Sequence, residues 1–321
     1  MLSKYKYHIW LHITVLIFGL TGVLGKLITI DSYLLVWYRV GIAVACLLGY
    51  FLFTKFSLKI NRKELIKILL VGIIIAVHWV TFFEAIKQSN VSVALVCFSS
   101  STLFTALLEP LYFKRKIKPY ELIFGLLIIT GLYFIFSFEF KYLAGMILAV
   151  VSAALASWFT VLNGVLIQKT NAKLISFYEL LGAFIIVSVY LLFTNGTDLS
   201  KLTVPFEDIK WLVILATLCT AFAFIMSVEV MKKIAPYTVT ISVNLEPIYS
   251  IILALIIWPE SETMSFGFYM GTIIVISTIF LNAVFKTIFP VQIAESGWLS
   301  LFKSSITKIV ESGELILNPL L

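Results

Sequence analysis

Leu35-Val36-Trp37-Tyr38-Arg39 and Ile175-Ser176-Phe177-Tyr178-Glu179 stand 140 residues apart and read as two copies of one pattern. Phe53 and Phe193 keep that spacing. Working outward, Glu84-Ala-Ile-Lys87 answers Glu229-Val-Met-Lys232, Gly125 answers Gly271, and Thr21-Gly-Val-Leu answers Asn163-Gly-Val-Leu. The chain is therefore read as one unit used twice, and self-similarity of this kind outranks any local propensity in choosing a fold.

The unit is apolar. Of the 321 residues, 61% are hydrophobic and 13% charged, with a mean hydropathy of +1.05, where soluble domains carry about 25% charged residues. The apolar residues run on without alternating, which selects a bilayer over a soluble two-domain core. A core of about 30 Å needs about 20 helical residues. Stretches of that length lie near 8–28, 33–54, 67–87, 91–113 and 120–138, then near 142–168, 174–194, 210–231, 237–258 and 265–287. The first lacks a small-residue cleavage site and reads as a retained helix. Five helices per copy is an odd number, so the second copy must enter the membrane from the opposite side. The expected fold is an all-α polytopic membrane protein, ten transmembrane helices as two inverted five-helix repeats: residues 1–140, residues 141–289, and a cytoplasmic tail, 290–321. In the tail Trp298, Leu299, Phe302, Ile306, Ile309 and Val310 recur at helical spacing, which suits an amphipathic surface helix.

Charge agrees with that topology. With the amino terminus cytoplasmic, Lys4, Lys6, Lys55, Lys59, Arg62, Lys63, Lys67, Lys114, Arg115, Lys116, Lys118, Lys169, Lys173, Lys232, Lys233 and Lys286 fall inside. The opposite loops hold Asp31, Glu139, Lys141, Asp198, Lys201, Glu207, Asp208, Lys210, Glu260 and Glu262, with Lys87 at a helix end. This is the positive-inside distribution, and it accounts for the net charge of +7 without nucleic acid as a partner. Both termini are then expected in the cytoplasm, in a cell inner membrane. Trp10, Trp37, Trp211 and Trp258 sit near the expected interfaces. Cys46, Cys97 and Cys219 lie within apolar runs and read as small packed side chains.

The His78-Trp79 and Glu84-Ala-Ile-Lys87 stretches, Leu-Leu-Glu109-Pro110-Leu before Lys114-Arg-Lys116, and Asn244-Leu-Glu246-Pro247 followed by Trp-Pro259-Glu260 resemble the drug/metabolite transporter superfamily, and within it the EamA family of ten-helix carriers. In that family pattern a proline in the fourth helix of each repeat is followed by an acidic residue and then by a glycine opening the fifth helix. Pro247, Glu260 and Gly271 obey it in the second half; in the first, Thr102 occupies the proline position and Lys114 or Arg115 the acidic one. The resemblance implies a secondary transporter, an exporter of small metabolites, with its site between the halves.

Charges buried in a bilayer mark the candidates, since each costs roughly 2.5–3.5 kcal/mol on insertion scales unless it faces a cavity or a partner. Lys26, Arg39, Glu84, Glu109, Glu179, Glu229 and Glu246 qualify. Glu246 is deepest, and Pro247 beside it frees the carbonyl of Val243, a combination suited to a cation, a proton or a substrate amine, or else to a structural kink. Glu109 has either a substrate role or an interfacial pair with Lys114. Arg39 and Glu179, equivalent in the repeat and opposite in charge, form a gate or a charge pair, or snorkel separately. Lys26 pairs with an acid or an anionic group, or snorkels.

Ser99-Ser100-Ser101-Thr102 covers a full turn, so Ser101 and Thr102 are candidates for the cavity wall, and the repeat register places Ser101 opposite Glu246. Trp79, Asn163 and Asn244 complete the wall. His78 is a protonatable group there or a packed histidine satisfied by a carbonyl. No metal motif, phosphate loop or cofactor signature occurs, which argues against an enzyme. Expected partners are a small-molecule substrate such as an amino acid, membrane lipid, a proton or sodium ion, and, as an option, a second copy in a homodimer. The alternative is a non-transporting membrane receptor or assembly protein whose buried charges only fix packing.

Overall fold

A computed structural model describes residues 2–114, 116–117, 119–195 and 198–288; the expected tail helix lies outside them. All regular structure among the described residues is helical: α1 Leu2–Leu27, α2 Ser32–Thr54, α3 Arg62–Gln88, α4 Val91–Phe98, α5 Ser101–Phe113, α6 Pro119–Phe138, α7 Leu143–Leu166, α8 Ala172–Asn195, α9 Phe206–Ala216, α10 Ala223–Val230, α11 Pro236–Val243, α12 Glu246–Ile257, α13 Pro259–Glu262 and α14 Phe266–Ile288. Grouped into spans, nine are long and apolar enough to cross a membrane, and α14 is apolar over Phe266–Asn282.

The distribution of side chains is that of a membrane protein. Phe53 and Phe193 are 90% and 84% exposed, whereas Arg39 and Glu179 are 2% and 0% exposed. Such rings facing water would forfeit the stabilisation that burial provides; facing lipid they do not. Inside, α3 runs along α7 and α8, α1 packs on α10 and α12, α5 on α7 and α11, and α6 on α14. Elements from the two ends of the chain thus interleave.

Close backbone approach at small residues sets these contacts, as expected where lipid removes the hydrophobic drive between helices. A Cβ on Gly72 would stand 2.3 Å from the Glu179 carbonyl oxygen, which brings α3 hard against α8. Gly131 and Gly271 make a reciprocal contact between α6 and α14: a Cβ on Gly271 would be 2.6 Å from the Gly131 oxygen, and one on Gly131 2.9 Å from the Gly271 oxygen. Gly271→Leu is therefore expected to lower stability by about 1–3 kcal/mol, by overpacking against backbone that cannot yield. Gly49→Leu, with nothing within 4 Å of its Cβ position, is the control, and thermal unfolding in detergent compares the two.

Three of the expected spans, 91–113, 210–231 and 237–258, are interrupted, the last beside Pro247, where the sequence allows a kink. Between α4 and α5 the chain tightens to three-residue hydrogen bonds, Ser100 N to Cys97 O at 3.1 Å and Leu103 N to Ser100 O at 2.9 Å. The Ser99 and Ser100 hydroxyls bond back to Leu95 O and Cys97 O, competing with the helix ladder. Between α11 and α12 the same tightening links Leu245 N to Ser242 O at 3.0 Å, at the point where Pro247 lacks its amide hydrogen. Between α9 and α10, Thr217–Phe222 forms a π-turn, with the Thr220 hydroxyl bonded to Leu215 O at 2.7 Å.

Candidate functional site

Two of the interruptions border one cavity, and the π-turn reaches it through Thr220, which holds the cavity residue Arg39. Its wall includes Thr21, Arg39, His78, Trp79, Ser101, Ser157, Thr160, Ser227, Thr240 and Glu246, with the rings of Phe18, Phe82, Phe98, Phe159 and Phe224. A chamber of this make-up, mostly aromatic with a few convergent polar groups, is the usual form of a small-molecule site.

Arg39 is positioned from the sequence upward. Asp31 caps α2 by accepting from Leu34 N at 2.8 Å, which starts the helix at Ser32 and carries Arg39 two turns inward. Its Nε donates to Thr220 Oγ1 at 2.6 Å, on the π-turn. The guanidinium carbon lies 4.1 Å from the centre of the Trp79 ring and 5.4 Å from that of Phe83. Nη1 is buried without a hydrogen-bond partner among the described residues. The guanidinium thus lies over the indole with one nitrogen committed to Thr220 and another buried without a partner. Glu246 heads α12 on the same wall.

Asn244 ties the two interrupted spans together. Its amide donates to Ser99 O at 3.3 Å and to the Thr102 hydroxyl, and its Oδ1 accepts from Ser101 Oγ at 3.2 Å. Ser157 on α7 donates to Ser101 O at 2.8 Å. Backbone carbonyls released at the break are thereby satisfied, the condition on which irregular backbone is tolerated at membrane depth. Asn244 and Thr102 support the wall; Ser101 and Glu246 face the chamber. His78 also lines it, with Nδ1 at 3.0 Å from Ser152 O and 2.8 Å from Ser152 Oγ, so its ring is held by α7 beside Trp79.

The remaining candidates fall elsewhere. Glu179 is not joined to Arg39; its Oε2 accepts from Asn163 Nδ2 at 3.3 Å, and both residues are fully buried away from the chamber wall. The arginine and the glutamate therefore sit in two separate polar clusters, and neither snorkels. Glu109 accepts the backbone N–H of Tyr237 at 3.2 Å and so holds the start of α11.

Lys26 meets a partner that sequence reading missed. Its Nζ is 2.7 Å from Glu262 Oε1 and 2.7 Å from Ser261 Oγ, and 4.5 Å from the Trp258 ring centre. Glu262 also accepts from Ser92 N at 2.9 Å, Ser92 Oγ at 2.7 Å and Val91 N at 3.2 Å, so a carboxylate from α13 caps α4. Asn90 donates to Ser261 O at 2.9 Å alongside it. Asp208, at the start of α9, accepts from Thr29 N, Thr29 Oγ1 and Ile30 N at 2.8, 2.9 and 3.3 Å. These contacts form one polar latch, at the end of the bundle carrying the 28–31 and 258–265 connections. The only sequence signal for it was a lone lysine late in an apolar helix, in want of an acid.

Comparison with known proteins agrees with this architecture. The model of the EamA-like transporter family matches residues 5–137 and again residues 143–284. An uncharacterized transporter of Archaeoglobus fulgidus is 24% identical over 289 residues, covering 86% of this chain and 97% of that protein. A protein of known crystal structure superposes with a TM-score of 0.64 at 13% identity, over 85% of this chain and 95% of its own, which speaks for the fold alone. The chain belongs to the EamA-like transporter family: it is a multi-pass membrane transporter, and a receptor or assembly role falls away.

Proposed function

We propose that this EamA-like transporter is a secondary active exporter of amino acids or similar amphipathic metabolites, working by alternating access between two inverted five-helix halves, residues 1–140 and 141–289. The chamber carries the reading: Arg39 takes the substrate carboxylate, Glu246 takes its amine or a proton, and Trp79 with the phenylalanine rings encloses the side chain. Ser101 contributes a hydroxyl, and Asn244 with Thr102 keeps the two interrupted helices in register.

One pair of equivalent contacts supports the relation between the two halves. Tyr38 OH donates to Leu202 O at 2.6 Å, and its repeat equivalent Tyr178 OH donates to Leu58 O at 2.7 Å, each tyrosine reaching a connection in the other half. On this topology α14 spans as the tenth helix, both termini lie in the cytoplasm of a cell whose inner membrane holds the protein, and the Glu262 latch closes the outer side. The coupling ion is a proton or sodium, and nothing in the mechanism requires a homodimer.

The test uses defined probes. Thermal unfolding of purified protein is measured with a panel of L-amino acids, their amides and their decarboxylated amines. Stabilisation by one or more free amino acids, lost with both analogues and in Glu246→Gln, is the expected result. No stabilisation by any amino acid, or equal stabilisation by the amine alone, would remove the substrate assignment.

A further inference from the structure

We infer that Asn163 and Glu179 form a second ligand site, apart from the substrate chamber, and that its ligand is a proton. The observation is a half-made pair. Asn163 Nδ2 donates to Glu179 Oε2 at 3.3 Å, while Asn163 Oδ1 and Glu179 Oε1 are both buried with no hydrogen-bond partner among the described residues. A carboxyl and a primary amide are complementary along two parallel bonds, N–H to O and O–H to O. The first bond is present. The two atoms left over are both acceptors, and a proton bonded to Oε1 would give Oδ1 the donor it lacks. The Ser176 hydroxyl, one turn before Glu179 on α8, is likewise buried without a partner.

Among the described residues no ion pair reaches Glu179; on α3, Lys67 is paired with Glu64 at 2.8 Å and His78 is bonded to Ser152. Against α8, α3 presents the bare backbone of Gly72. The α7 helix has no titratable side chain. From α2, Arg39 is engaged with Thr220 and Trp79, and from α10, Glu229 is paired with Lys232 at 2.7 Å. A buried carboxylate without a cation costs several kcal/mol in a medium of low polarity, so uptake and release of a proton from water at this site would be tied to movement of α7 against α8. The sequence repeat aligns Thr21 with Asn163 and Arg39 with Glu179. One cluster thus faces the substrate and the other carries the ion, which leaves Glu246 for the substrate amine. This deepens the exporter reading and rests on it only for the proton's role in coupling.

The test needs no substrate. The full-length protein in lipid vesicles is stepped through pH, and infrared difference spectra follow the C=O band of a protonated carboxyl. The wild type is expected to show a component that disappears in Glu179→Gln, moves to higher frequency in Asn163→Leu as the shared bond is lost, and persists in Glu246→Gln. Survival of that component in Glu179→Gln, or an unmoved band in Asn163→Leu, would overturn the assignment. So would bleaching of the band by sodium chloride at constant pH, which would make sodium the occupant. Should Glu179→Gln not fold, the Asn163→Leu spectrum decides alone. Retention of amino-acid binding by Glu179→Gln separates this site from the chamber: if no amino acid binds even the wild type while the band behaves as described, the substrate reading fails and the proton site stands.

Discussion

Arg39→Leu is expected to weaken amino-acid binding by about 2–5 kcal/mol, roughly 30- to 5000-fold, the usual cost of truncating one partner of a buried charge pair. The size follows from the setting. Arg39 is 2% exposed, lies over the Trp79 ring and keeps one buried nitrogen without a partner, so on the proposed reading water does not replace the lost donor. Arg39→Lys restores the charge without the flat fork and is expected to recover only part of the affinity. Calorimetric titration with an amino acid that stabilises the wild type measures both variants. Undiminished binding by Arg39→Leu would show that the carboxylate sits elsewhere.

The second large effect is expected at the latch. Glu262→Ala strands two backbone N–H groups at the start of α4, the Ser92 hydroxyl and the Lys26 ammonium, all of which now converge on one carboxylate. Lys26, partly exposed, recovers hydration; the groups on α4 do so only if the bundle opens there. Loss of about 2–4 kcal/mol from the closed arrangement moves a two-state equilibrium by roughly 30- to 1000-fold, enough to change which face of the chamber is open. Glu262→Gln, which keeps an acceptor for the α4 amides but not the charge on Lys26, is expected to fall between.

Much of this was legible in the chain because bilayers impose few solutions. Long apolar runs gave the spans, and the two copies around Tyr38 and Tyr178 gave the internal repeat. The cost of charge in hydrocarbon selected Arg39, Glu179 and Glu246 before any coordinates. The repeat register also put Ser101 and Glu246 on a common cavity, where both are found. The interruption at Ser99 and Ser100 was not legible, because no glycine or proline marks it and a run of serines reads equally as a packing face. The π-turn at Thr217–Phe222 has no signature at all within an apolar stretch. Partners far apart in sequence were the other loss: Lys26 and Glu262 are separated by more than two hundred residues, and one-dimensional pattern cannot match a lone cation to its acid. For the same reason the alignment of Arg39 with Glu179 suggested a pair, where the fold gives the two residues separate hydrogen-bond partners.

A single cysteine at Ser227, a chamber residue 7% exposed, reports access most directly, in a background with Cys46, Cys97 and Cys219 replaced. A membrane-impermeant maleimide is applied from one side and then the other of sealed vesicles. Labelling from the side opposite the latch in otherwise unaltered protein, turning to the latch side in Glu262→Ala, is the expected result. A side preference unmoved by Glu262→Ala would contradict the latch's part in access, and reaction from neither side in either protein would mean a closed core with no route for a substrate.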